Sequence, residues 1–381
     1  MPINATDTST ARSLPRIAVD LRALVGVPSG IGFYTQAILN CLARRGAAAY
    51  VGMAHRPIVD DRLFVELGIS MESHGGPLGV WWQQVILPGR LKRGDIDLLW
   101  SPITTLPVRM QIPGIVTVHD LTTLLHPHTH RLKVRLSVLP FLANTLAKAV
   151  WIAADSKATA DDLRQHYPAC APRVEVIYPG VDPEFKPGDP TDIHATREEL
   201  GCPDGYILYS GTLEPRKNLA RLLDAWETLR HKRPGTLPLV LTGPYGWRSL
   251  DLLSRIESLS SQGLHYLGRV ERSRLVRLMQ SASMFVYPSL YEGFGLPPAE
   301  AMACGIPTIA SNRSSLPEVV GDAGLLFEPE NTEELATAIR RLQDESSLAT
   351  ELGNRGWRRA QQFSWERSAE SMEQLFLAAL D

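Results

Sequence analysis

Apolar residues in this chain fall into short clusters separated by stretches of helical spacing. "RIAVDLRAL", from Arg16, is apolar and β-branched like a strand. "GIGFYTQAILNCLARRG" then repeats its apolar positions every three to four residues and stops at a glycine, as a helix does. "DIDLLWSP" and "GIVTVHD" read as two more buried strands, each ending at a polar residue or turn. A helix is predicted over about 131–148, then a strand in "VWIAADS", a helix from near Ala158 and a strand in "VEVIYPGVD". The rhythm restarts with strands in "YILYSGT", "LPLVLTGP", "LHYLGRV", "MFVYPS" and "IPTIAS", which alternate with helical stretches such as "NLARLLDAWETLR" and "SRLVRLMQSA". Alternation of this kind implies parallel sheets covered on both faces. Two such runs, joined around the proline-rich "YPGVDPEFKPGDPTD", imply two doubly wound α/β domains.

Length agrees, since 381 residues exceed what one core serves well. A net charge of −2 argues against nucleic acid as a partner. Cys41, Cys170, Cys202 and Cys304 are scattered, with no zinc or disulfide spacing, and suit a reducing cytoplasm. The first 15 residues are polar and read as a flexible leader, not a signal peptide. No apolar run approaches the ~20 residues of a membrane helix.

In doubly wound sheets, ligands collect at the carboxyl ends of strands, where loops meet helix N-termini. Candidates therefore follow the strands. In "SGTLEPRKN", Ser210 and Gly211 end a strand and Arg216 and Lys217 precede a helix, where cations oppose the macrodipole unless an anion binds. These two side chains and nearby amides can cradle a diphosphate. "SGIGFYT" offers Gly30 and Gly32 for close backbone approach, but Thr35 replaces the third glycine of a dinucleotide fingerprint. His119 ends "IVTVHD", where Asp120 can orient it or touch a sugar hydroxyl. Asp95 and Asp97 precede their strand, so they do not read as a metal-holding pair.

The richest stretch is "YEGFGLPPAEAMACG". Gly293 and Gly295 suit backbone passing close to a ligand, and Pro297 or Pro298 suits the first helical turn. The amides of Phe294, Gly295 and Leu296 then face the same anion as Arg216 and Lys217. Glu300, one turn inside, can accept from a ribose diol, and Glu292 can hold sugar hydroxyls.

Together, "YPSLYEGFGLPPAEAMACGIPTIAS", "YSGTLEPRKNL" and "VTVHD" resemble the retaining family-4 glycosyltransferases, whose hallmark is a Glu-x7-Glu motif. The similarity runs from about Arg16 to the final "FSWERSAESMEQLFLAAL", and "WWQQVILPGRL" looks closest to bacterial mannosyl- and rhamnosyltransferases of O-antigen or exopolysaccharide assembly. The resemblance implies the GT-B fold: an acceptor-side Rossmann-like domain over 16–185, a nucleotide-sugar domain over 186–363, a cleft between them, and a helix over 364–381 crossing back. It also implies a diphosphate on Arg216 and Lys217, ribose on Glu300, and the donor sugar on Glu292 with the backbone of Phe294 to Leu296. Gly30 and Gly32 would line the phosphate side, and His119 would reach the sugar. The expected donor is a GDP-sugar, with no cofactor and no metal, and the expected acceptor a glycan or lipid-linked oligosaccharide. An epimerase of the same fold, or an idle sugar-nucleotide binder, is the alternative.

Residues 1–185 carry a net +3 and the remainder −5. Arg131, Lys133, Arg135 and Lys148 flank apolar residues in one predicted helix, so peripheral contact of the first domain with anionic membrane is a further expectation.

Overall fold

The computed structural model describes residues 14–26, 30–58, 61–76, 78–127, 132–246 and 250–381. Most of the leader, Ser29 and Arg131 lie outside the described residues, as does the side chain of Lys133.

Seven strands form the first sheet: β1 (Arg16–Asp20), β2 (Ala49–Ala54), β3 (Ser70–Ser73), β4 (Leu98–Ser101), β5 (Gly114–Val118), β6 (Trp151–Ala154) and β7 (Val174–Val176). Their order is β3-β2-β1-β4-β5-β6-β7, and every pairing is parallel. Six strands form the second: β8 (Ile207–Ser210), β9 (Leu239–Thr242), β10 (Leu264–Tyr266), β11 (Met284–Tyr287), β12 (Thr308–Ser311) and β13 (Gly324–Phe327). Their order is β10-β9-β8-β11-β12-β13, again all parallel.

Sequence patterning missed β2 and β3. β2 reads "AYVGMA", where alanine and glycine dilute the β-branched signal. β3 is a half-exposed edge strand of four residues with no alternation to read.

Both faces of the first sheet are covered. Ile17 and Val19 of β1 face one cluster and Ala18 the other, the period-two signature of a buried strand. The first cluster contains Ile38 and Leu42 of the helix Gly30–Arg45 and Trp365, Met372 and Phe376 of the helix Trp365–Leu380. The last helix thus crosses from the second half to pack on the first, and each large apolar side chain it buries stabilises that docking by roughly 1.5–3 kcal/mol. Ser364 caps it through the Arg367 amide, and the Ser368 hydroxyl donates to Tyr178 O at 2.6 Å.

Strand order reverses between β1 and β4 in one sheet and between β8 and β11 in the other. At each reversal the following loops run to opposite sides and leave a crevice at the carboxyl edge.

Candidate active site

Ser210 ends β8 and Gly211 follows it, and a 3-10 turn over Pro215–Lys217 carries the two cations back toward β11. Asn218 closes this turn in the left-handed region, with φ 56°, and its side-chain amide donates to Pro288 O and Pro329 O. The helix Leu219–Lys232 follows. Lys217 is buried, which an ammonium tolerates only with partners. It donates to Glu292 Oε1 at 2.6 Å and to the Tyr287 hydroxyl at 2.7 Å.

Arg216 lies beside it. Its Nη1 is 2.9 Å from Glu292 Oε2 and 2.5 Å from Tyr291 O, while Nη2 reaches Glu214 at 2.8 Å. The Ser289 hydroxyl completes the shell by donating to Glu292 Oε1 at 2.5 Å. Burial alone would raise the Glu292 carboxyl, but Arg216 and Lys217 overcome it and hold the group down at about 2. Glu292 therefore stays ionised throughout the neutral range.

The glycine-rich turn after Glu292 serves protein neighbours. A Cβ on Gly293 would lie 1.9 Å from His119 O, so only glycine permits the second half to touch the first there. The Thr159 hydroxyl bridges this seam, at 3.2 Å from His119 O and 3.3 Å from Gly293 O. Gly295 has φ 103° and enters the helix Leu296–Ala303, with Pro297 and Pro298 in its first turn and Gly305 just beyond its end. Phe294 is buried against Tyr178 and Phe363.

Glu300 sits in that helix, half-buried, and its carboxyl group makes no side-chain hydrogen bond among the described residues. Burial pushes its carboxyl up to about 7, against Arg272 and with Asp182. In its ionised form a recessed carboxylate of this kind can accept from two hydroxyls. Across the cleft, Gly30 and Gly32 fall within the first turn of the helix Gly30–Arg45, not in a loop before it. Gly30 is exposed, and Phe33 of the same turn, 43% exposed, stacks under Arg272 from the second half at 5.9 Å.

His119 is held differently from the sequence expectation. Its Nδ1 lies 2.6 Å from Asp155 Oδ2 and its Nε2 2.8 Å from Pro102 O. A neutral imidazole has one N–H, so only the imidazolium satisfies both acceptors. Burial lowers its pKa, but Asp155 and the Pro102 carbonyl outweigh burial and leave it raised. With both nitrogens engaged inside the first half, the ring has no N–H to spare for a sugar. Asp155, at the carboxyl end of β6, orients it. Asp120 instead accepts from the Thr122 amide at 2.8 Å and faces the Arg216 side of the seam.

The raised pKa sets a sign. Stability from the His119–Asp155 contact is full below the unfolded value near 6.5 and is lost as pH rises through the folded value. In an NMR titration, the His119 ring is expected to titrate above 6.5 in the wild type and below it in Asp155→Asn. An unchanged midpoint would contradict the pairing.

Asp95 and Asp97 sit at the amino end of β4, away from this edge. Asp95 pairs with Arg90 at 2.6 Å, and Asp97 accepts from the Arg16 amide at 2.7 Å.

Residues 193–359 match the family described as glycosyl transferases group 1, and residues 28–185 match glycosyltransferase family 4. The O-antigen chain mannosyltransferase B of Escherichia coli is 36% identical over 272 residues, 70% of each chain. The chain is a family-4 glycosyltransferase. Serotype-specific mannosyltransferases WbdA of Escherichia coli are 31% identical over 237 residues, which span 60% of this chain but under a third of theirs. HepE of Anabaena, solved with UDP and glucose, shares the fold at TM-score 0.76 and 19% identity, covering 96% of this chain and 100% of that one. WaaG, a glycosyltransferase involved in lipopolysaccharide biosynthesis, does so at TM-score 0.74 and 16% identity, covering 94% and 99%. Two parallel sheets with surrounding helices are thus the GT-B architecture.

Within this glycosyltransferase, sequence reasoning overlooked Tyr287, Ser289, Glu214 and Asp155. Each lies at or just after the carboxyl end of a strand, so the strand-end rule could have found them. Arg272, at the start of the helix Arg272–Ser281, gave no such signal.

Proposed function

We propose that the protein transfers mannose from a GDP-sugar, with retention, to a glycan or lipid-linked acceptor in bacterial surface-polysaccharide assembly. The observation that carries this is the 36% identity to an O-antigen mannosyltransferase over 70% of both chains. The site agrees with it in kind. Arg216 and Lys217 bind the donor diphosphate, aided by the amides at the start of the helix Leu296–Ala303, and Glu300 takes the ribose. Glu292 and the backbone of Phe294 to Leu296 receive the sugar.

The chemistry follows from where charge develops. Breaking the glycosidic bond leaves an oxocarbenium-like sugar and growing negative charge on the leaving phosphate. Cations and helix amides fixed at that phosphate therefore stabilise the transition state more than the ground state. The departing phosphate takes the acceptor's proton on the same face, which preserves configuration. Arg216 and Lys217 supply the charge that a divalent ion supplies elsewhere.

A thermal-shift panel of GDP-, UDP- and ADP-sugars tests the donor. At 100 times its dissociation constant a true donor adds about 2.7 kcal/mol. GDP-mannose is expected to shift the melting most, and a panel without any shift would refute the assignment. Anomeric configuration of the product, read by NMR, tests retention. Release of a new sugar nucleotide without acceptor would signal an epimerase instead.

No helix among the described residues is long and apolar enough to cross a membrane. Leu78, Trp81, Val85 and Leu136 are exposed on the first half, with Lys92, Arg93 and Lys148 also exposed nearby in sequence. This combination fits shallow contact with anionic lipid. Co-flotation with anionic liposomes, lost at high salt, is the expected result; no lipid-dependent recovery would remove the idea.

A further inference from the structure

The two cations assigned to the diphosphate are already neutralised in this arrangement. Lys217 and Arg216 share the Glu292 carboxylate at 2.6 and 2.9 Å, and Arg216 also holds Glu214 at 2.8 Å. Two cations face two carboxylates, so the cluster is formally neutral. It is also largely shielded from water, and Lys217 itself is buried. The cluster itself therefore offers an arriving diphosphate no net charge, and Glu292 occupies N–H groups of both cations.

The Glu292 backbone is fixed: its amide donates to Ser314 Oγ at 2.8 Å, and the hydroxyls of Ser314 and Ser315 donate to its carbonyl at 2.7 and 3.0 Å. Its side chain is held by Lys217 and Arg216, groups an anion would claim, and by the hydroxyls of Ser289 and Tyr287. A change of side-chain rotamer can therefore free Lys217 without moving the loop.

Resting on the donor site proposed above, we propose that Glu292 is an exchangeable counter-ion that makes this site select a sugar nucleotide over a bare nucleoside diphosphate. The incoming diphosphate displaces the carboxylate from Lys217. The freed carboxylate then accepts hydrogen bonds from hydroxyls of the donor sugar, which repay its displacement. Once the sugar has been transferred, those hydroxyls are gone. Glu292 returns to Lys217 and Arg216 and competes directly with the remaining nucleoside diphosphate, so it hastens product release. A ligand with diphosphate but no sugar meets the cost of displacement without the compensation.

The test is calorimetric titration of wild type and Glu292→Gln with three probes: inorganic pyrophosphate, GDP and GDP-mannose. The variant is expected to bind pyrophosphate and GDP at least tenfold more tightly, and GDP-mannose no more tightly or more weakly. A rise for all three alike would mean a general gain in positive potential, and unchanged affinity for pyrophosphate and GDP would mean no displacement; either overturns the proposal. Pyrophosphate carries neither base nor sugar, so that arm is independent of donor identity. If Glu292→Gln does not fold, Glu292→Asp retracts the carboxylate by one methylene and is expected to tighten pyrophosphate binding at least threefold, and no change there also overturns it. Pyrophosphate binding that survives Lys217→Ala unaltered would instead refute the diphosphate site on which the proposal rests.

Discussion

Lys217→Ala is expected to lower kcat by two to three orders of magnitude. Loss of one preorganised donor to a developing anion costs about 2.7–4 kcal/mol of barrier, and Lys217 is one of two cations among the described residues that pair with Glu292. The same substitution removes one partner from a buried ion pair, which typically costs about 3–5 kcal/mol of stability. Here the loss should fall at the low end, because Arg216 and Ser289 still hold Glu292. The two effects can be separated. In Lys217→Met combined with Glu292→Gln, a neutral amide replaces the orphaned carboxylate, so stability should largely return while turnover does not. Near wild-type turnover in folded Lys217→Ala would contradict the diphosphate role.

Gly293→Ala is expected to lower kcat/KM by about 10²-fold, although no charged group is touched. The added carbon would lie 1.9 Å from the His119 carbonyl oxygen, a backbone atom with no flexible end to give way. The strain is relieved by parting the two halves at the Thr159 bridge. Misplacement by about 1 Å is enough for a loss of this size, because the reacting atoms must be held in near-attack geometry. Donor binding, which depends on the second half, should persist in a thermal-shift assay. An unchanged kcat/KM would show that this seam does not set the catalytic geometry.

The fold was legible where strands are buried on both faces. β1, β5, β8 and β11 are short apolar runs with abrupt polar ends, and those ends marked the ligand edge. β3 was not legible, because a half-exposed edge strand carries no obligatory pattern. Candidate site residues were likewise visible singly, and their partnerships were not. Arg216 and Glu292 meet because β8 and β11 are neighbours, and His119 meets Asp155 because β5 and β6 are. Adjacency of strands is a property of the assembled sheet. For the same reason, the glycines of "EGFG" read as room for a ligand, whereas Gly293 makes room for the His119 carbonyl.

The structure of the protein with GDP bound tests the donor site most directly. A diphosphate site predicts β-phosphate oxygens within about 3 Å of Lys217 Nζ and the Arg216 guanidinium, with the ribose hydroxyls on Glu300. Nucleotide bound elsewhere, with the Lys217–Glu292 pair intact and Glu300 facing solvent, would contradict it.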